Sequence, residues 1–501
     1  MIDFFEKLVY NILVFFVTDN GSENNLSCFK AAFIADIHLY SEKLGVDGRA
    51  YGLRSGSDQK CLAESSFITD SAFEIIKKSG ADAVVAAGDL TNNGEKVSHA
   101  EMKMKLDSLN ETVPVYAVTS THDWCSDENA RRYEGDNVYR DVPVLSRDEQ
   151  NGLYGGFGKK AELSSFRTSA GFFSRSFLLS DEVRLILVND DCDGRNGKSG
   201  YSEEHLRWLE SEAKEGKSAG QLVIAVQHHL VLPVISQLVN SSQLISDGEA
   251  VASRLANAGV RLLFVGHSHM LGRTDFTSAE GNTLTQINLS ALCGYPGGIT
   301  FVTVENGKAV IKTEYINEFS YNGTTQNAEY IRKHTEDVLM NVINGALEGR
   351  ESLTERLSAL GVKKELSERL YKIARRGAVF LTEASVKKAS RIVNVLLPGG
   401  GRITADMIKD IGDEPLISCI LPVFLSVFDS SKAVSECPEA VRNVMKALAS
   451  KITAFGKRLP LKKHKKDDIN VLLSGVSQTL VTLAERKYCI DTEIFFNEPA
   501  K

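Results

Sequence analysis

Between Phe29 and about Ile316, short apolar runs rich in β-branched residues alternate with amphipathic stretches. That alternation predicts a layered α/β domain. The runs place strands at Lys30–Ala35, Ala83–Ala87, Val113–Val118, Val183–Val188, Leu222–Val226, Arg261–Val265, Thr283–Asn288 and Ile299–Val304. After Thr325 the period changes. Ile331, Val338, Val342 and Leu347, then Leu353, Leu357, Leu360, Leu366 and Leu370, recur at helical spacing, as do apolar positions in Val386–Leu397 and Ile469–Leu483. Pro398-Gly-Gly-Gly401 breaks any helix that reaches it, so the tail reads as several helices joined by turns. The expected division is an N-terminal segment (1–28), an α/β domain (29–322) and an all-helical domain (323–501), with no internal repeat or low-complexity stretch.

Composition narrows the class. The 501 residues are 43% hydrophobic and 25% charged, the balance of a globular protein rather than a disordered, collagen-like or membrane-spanning one. Lys and Arg number 58 against 65 Asp and Glu, so the net charge of −7 repels polyanions and gives no strong nucleic-acid signature. The basic cluster Lys462-Lys-His-Lys-Lys466 runs straight into Asp467 and Asp468 and reads as a solvated loop. Eight cysteines stand singly, with no C-x-x-C pair, and are expected to be reduced. The apolar run Leu8–Val17, interrupted by Asn11, falls short of the ~20 residues a transmembrane helix needs, and no small-residue cleavage site follows it. A cytoplasmic protein is expected.

The chemistry lies just beyond strand ends, where open α/β sheets place their sites. Asp36-Ile-His38, Gly88-Asp89, His122-Asp123, His228-His229 and Gly266-His-Ser-His269 each follow an apolar run. Carboxylate and imidazole are ligands of divalent transition metals, and Asp-x-His or His-x-His lets one loop offer two of them. Six of the ten histidines fall in these clusters, a concentration that scattered structural histidines would not give. His229 stands level between ligand and structural residue, because adjacent side chains on an extended segment point opposite ways. His99, His205, His334 and His464 are read as structural.

The ordered set D-x-H, G-D-L-T, H-D, H-H and G-H-S-H resembles the calcineurin-like metallophosphoesterase superfamily. Gly88-Asp-Leu-Thr-Asn-Asn-Gly-Glu95, and Gly200-Tyr-Ser-Glu-Glu-His-Leu-Arg-Trp-Leu209 preceded by Leu187-Val-Asn-Asp190, are similar to its class III cyclic-nucleotide phosphodiesterases, and more closely to bacterial members with a C-terminal helical domain. The resemblance implies a four-layer α/β/β/α metallophosphoesterase sandwich followed by an all-α C-terminal domain. It also implies two divalent transition metal ions, manganese, iron or zinc, bridged by Asp89. Asp36, His38 and His269 would complete the first site; His228 and His267 would help bind the second. The activity implied is hydrolysis of a small phosphodiester, a cyclic nucleotide foremost, by a metal-bridging hydroxide. His122 would protonate the leaving group or stabilise the phosphoryl oxygens, with Asp123 beside it. A phosphomonoesterase, a nuclease and a non-catalytic scaffold of the same fold are the rivals.

One departure stands out: the superfamily's G-N-H-D or G-N-H-E is here Ser120-Thr121-His122-Asp123, so Thr121 replaces an asparagine ligand of the second metal with a weaker hydroxyl. The insertion Gly45–Ser57 is rich in glycine and offers Arg49, Tyr51 and Arg54 to a phosphate or base, as a lid or as plain surface. Gly294-Tyr-Pro-Gly-Gly298 is a further candidate for the pocket rim.

Overall fold

The computed structural model describes residues 28–191, 194, 198–359, 362–430, 437–458, 463–485 and 490–496, with side chains from 463–468 left aside. The run Leu8–Val17, Leu360 and the side chains of the 462–466 cluster lie outside the described residues. Two sheets form the core. The first has six strands in the order β17 (Thr492–Phe495), β14 (Lys308–Tyr315), β13 (Gly298–Glu305), β1 (Phe29–Ile34), β2 (Ala83–Ala87) and β3 (Val115–Val118). The second has seven, in the order β11 (Gly272–Thr277), β12 (Thr283–Asn288), β10 (Val260–Val265), β9 (Leu222–Val226), β8 (Val183–Leu187), β7 (Phe173–Ser180) and β6 (Glu162–Arg167).

Alternation along the strands explains why the sheets stack. Ala31 and Phe33 of β1 face inward with Val85, Leu185, Ile224 and Phe264, while Ala32 and Ile34 face outward onto helices Ser65–Lys78 and Lys96–Asn110. Phe33 and Phe264 stack across the sheet interface with ring centres 4.0 Å apart. Helices Glu203–Ser218 and Gly248–Ala258 cover the outer face of the second sheet. The result is the α/β/β/α sandwich. β1, β2 and β3 are parallel, as are β8, β9, β10 and β12, so their C-terminal ends gather at one rim.

All eight expected strands are present, three with the expected ends and five with an end moved by a residue or two. Those the reading omits are mostly edges and hairpins, among them the short pair β4 (Arg132–Glu134) and β5 (Asn137–Tyr139); β11 carries Arg273, Thr274 and Asp275 in six residues, and so lacks the apolar run that marks a buried strand. The tail is helical from Ala328. Yet the boundary at residue 322 falls inside the hairpin β15 (Glu318–Tyr321) and β16 (Thr324–Asn327), and β17 returns after the helices to pair with β14. Ile331 is buried against the first sheet's outer core, and Val386, Cys419, Val441 and Leu483 join the core beside the second sheet. The tail and the sandwich therefore share their cores. No helix among the described residues is long and apolar enough to cross a membrane.

Candidate metal centre

The strand ends bring the five sequence clusters to one place. Three trios of side chains have their ligand atoms within 4.8 Å of one another: Asp36, His38 and His269; His38, Asp89 and His122; Asp89, His228 and His267. His38 links the first trio to the second and Asp89 links the second to the third, so the three form one continuous cluster with Asp89 between its two ends. Asp36, His38, Asp89, His267 and His269 all adopt left-handed backbone conformations, with φ between 44° and 64°. Each costs about 1–3 kcal/mol outside glycine, a strain that persists where the surrounding fold holds it. Its effect is to turn side chains of successive loops inward. Glycine is needed beside them: a Cβ on Gly88 would lie 2.7 Å from His228 Nδ1, and one on Gly266 would lie 2.7 Å from Asp36 Oδ2.

Hydrogen bonds behind the rings fix which nitrogen faces the cluster. His228 Nδ1 donates to the Ala87 carbonyl at 2.9 Å, which turns Nε2 toward Asp89 Oδ2 at 3.0 Å with no other hydrogen-bond partner. His122 Nδ1 donates to the Asn92 carbonyl at 2.6 Å. Gln59 Nε2 meets His269 Nδ1, and the Gln59 oxygen has no partner. Turning the amide would let the oxygen accept from Nδ1–H and would leave His269 Nε2 as a lone-pair donor. It then confronts His38 Nε2 at 3.0 Å. His38 Nδ1 has no hydrogen-bond partner, so this contact is satisfied either by a proton on one of the two nitrogens or by a cation that both share.

Electrostatics agree. Burial pushes the Asp36 carboxyl up, but His269, His38 and His228 outweigh it and hold the group well below the usual carboxylate range. Burial likewise opposes ionisation of Asp89, and His228 and His122 overcome it. Burial, with Lys60 next, depresses His38 to about 3; burial, then His229 and His228, also hold His267 well below its ordinary value. These are neutral imidazoles beside ionised carboxylates, the donor set a divalent ion takes. His228 differs: burial depresses it, but Asp89 and Asp36 raise it well above, so this position demands positive charge from a proton or a cation. Asp36, His38, Asp89, His228, His267 and His269 thus fit a pair of divalent ions.

Other expectations are placed differently. Asp123 is fully buried, and its carboxylate accepts from Thr91 N and Ser120 N, both at 2.9 Å. It shapes the loop that carries His122 instead of joining the converging side chains. Thr121 is half-buried in that loop. His229 turns from His228, their rings nearly perpendicular, and bonds Asp190 through both its backbone N–H (3.0 Å) and Nδ1 (3.2 Å). Asp190, Asp191 and His229 form a fourth trio, with Asp191 held by Ser120 and Trp124. The carboxylate pair just past β8 was its signal in the sequence. The insertion is not a lid of free cations: Arg49 pairs with Glu355, Arg54 with Asp58 at 2.6 Å, and Tyr51 packs against Tyr40 and Tyr133. Sequence reasoning missed Gln59 and Lys60, which sit where this segment meets the cluster, because one amide and one ammonium leave no pattern.

Residues 29–271 match the model of a family described as calcineurin-like phosphoesterase. Among solved structures, a dimetal phosphatase from Danio rerio is 17% identical with a TM-score of 0.41, over 60% of this chain and 99% of that one. A purple acid phosphatase from yellow lupin (Lupinus luteus) seeds is 12% identical with a TM-score of 0.40, over 60% of this chain and 53% of that one. No curated protein matches the sequence.

Proposed function

Since residues 29–271 belong to the calcineurin-like phosphoesterases, we propose that this chain is a metal-dependent hydrolase of a small phosphodiester, a cyclic nucleotide foremost. The observation that carries the reading is Asp89, flanked by His38 and His122 on one side and by His228 and His267 on the other, with His122 and His228 aimed by hydrogen bonds from behind. A pair of divalent ions, when bound, acidifies water and neutralises charge growing on the phosphoryl oxygens. Asp36, His38 and His269 would hold one ion and His228 and His267 the other, with Asp89 between them.

The chain's own part in the chemistry centres on His122. Its Nδ1–H is committed to Asn92, so Nε2 is the atom that exchanges a proton with the substrate side. The imidazolium form would donate to the leaving alkoxide. Asn92 and Asn93 orient the ring, and they lie in the Gly88–Glu95 stretch whose resemblance to cyclic-nucleotide phosphodiesterases supports the diester reading. The test is a rate comparison on metal-loaded protein. Bis(p-nitrophenyl) phosphate should be cleaved at a higher kcat/KM than p-nitrophenyl phosphate; the reverse ratio makes the chain a phosphomonoesterase, and no cleavage of either supports the scaffold.

A further inference from the structure

The segment 56–60 reaches the metal centre from outside the sandwich and is held at both ends. On the outer side, helix Ala328–Glu348 binds its backbone: Asn341 Nδ2 donates to the Gly56 carbonyl at 3.0 Å and His334 Nε2 to the Asp58 carbonyl at 2.9 Å. On the inner side, Gln59 meets His269, Lys60 makes an isolated bridge to Gly294, and Cys61 N donates to the Cys293 carbonyl at 2.8 Å. Lys60 is thereby carried into the interior with only 5% of its surface exposed.

A buried ammonium normally fills its three donors or gives up its charge. Among the described residues Lys60 meets only Asp58 Oδ2, at 3.5 Å, and that carboxylate already belongs to Arg54 at 2.6 Å. Two cations and one carboxylate leave this group with one positive charge to spare. Lys60's chain neighbours Gln59 and Cys61 touch His269 and Cys293, and its own backbone bridges to Gly294, so the residue is seated against the loops that carry the metal-centre ligands.

We propose that Lys60 is a phosphate-binding cation of the metal centre, its ammonium donating to a non-bridging phosphoryl oxygen of the bound ester. The proposal rests on the reading of this site as a phosphoester hydrolase and adds a binding group from outside the strand-end clusters. It also explains why the helical tail grips the segment. His334 and Asn341 fix the backbone from which Lys60 extends, so the tail serves as a positioning element for the phosphate subsite.

The test uses the full chain loaded with manganese and inorganic phosphate as the probe. Calorimetry on Lys60→Met should show metal content unchanged and phosphate binding weakened about 10–100-fold, the range for one hydrogen bond to a charged group. KM for bis(p-nitrophenyl) phosphate should rise by a similar factor with a smaller change in kcat, and Lys60→Arg should recover most of the affinity. Unchanged phosphate affinity in a metallated Lys60→Met protein overturns the proposal and leaves Lys60 as a structural partner of Asp58. Should that variant not fold, a phosphate-soaked crystal of the wild type decides. An Nζ-to-oxygen distance within hydrogen-bond range supports the assignment, and a phosphate bound beyond 4 Å from Nζ rejects it. Phosphate held by Lys60 in a protein that cleaves neither ester would keep the subsite and remove the hydrolase reading; cleavage with Lys60→Met unaffected would do the opposite.

Discussion

Nε2 of His38 and Nε2 of His269 stand 3.0 Å apart although 231 residues separate them in the chain. The first imidazole comes from the loop after β1 and the second from the loop after β10, so the contact joins the two sheets at their shared rim. Asp36 lies 3.4 Å from His269 Nε2, so the two imidazoles meet beside a buried carboxylate, the mixed donor set that a divalent ion takes.

The proposed two-ion centre puts Asp89 between both ions, so its loss should empty both sites. Asp89→Ala is expected to bind well under the wild-type amount of metal by elemental analysis and to lose hydrolysis, while circular dichroism stays unchanged. A fully metallated, active variant would remove Asp89 from the bridging position.

His122→Ala should keep its metals and lose about 10²–10⁴-fold in kcat, the scale of one general acid. The loss should be smaller for p-nitrophenyl esters, whose leaving group needs no proton. Burial holds His122 below its ordinary value near 6.5, with Asp89 opposing. The acid form is thus complete only below that lowered value. For esters with alkoxide leaving groups kcat should fall as pH rises through it, and p-nitrophenyl esters should lack this limb.

Thr121→Asn supplies an amide oxygen where the resemblance places an asparagine ligand. Titration with manganese should show the weaker site tightened by on the order of tenfold, the scale on which small changes around metal sites act. Activity should rise at limiting metal and change little at saturation. If neither quantity moves, Thr121 does not face the second pocket.

The tail should prove inseparable from the sandwich. Ile331→Ala, at a position 1% exposed, should cost about 2–5 kcal/mol in chemical denaturation. A fragment ending at residue 322 loses that side chain and the β17–β14 pairing together, and should be insoluble or melt well below the full chain. A soluble fragment with an unchanged melting temperature would restore the tail as an independent unit.

What the sequence disclosed follows from how each feature is encoded. Buried parallel strands read as unbroken apolar runs, so β2, β9 and β12 were placed to the residue. Asp36, His38, Asp89, His267 and His269 sit at strand ends in recurring spacings, so their convergence was legible before any coordinates. β17 was not, because a four-residue strand that pairs with a partner some 180 residues earlier carries no local mark of that partner. Arg49 and Arg54 looked free since their partners Glu355 and Asp58 are fixed by tertiary contact and by a helical turn. Lys60 went unnoticed for the converse reason: its significance lies in having too few partners, which only the packing reveals.

The most direct test of a two-ion centre is anomalous diffraction from a crystal of the full chain grown with manganese. The account predicts two peaks, one among Asp36, His38, Asp89 and His269 and the other among Asp89, His228 and His267, with Asp89 touching both. No peak at this cluster in crystals with saturating manganese, or a single peak that Asp89 does not ligate, would contradict it.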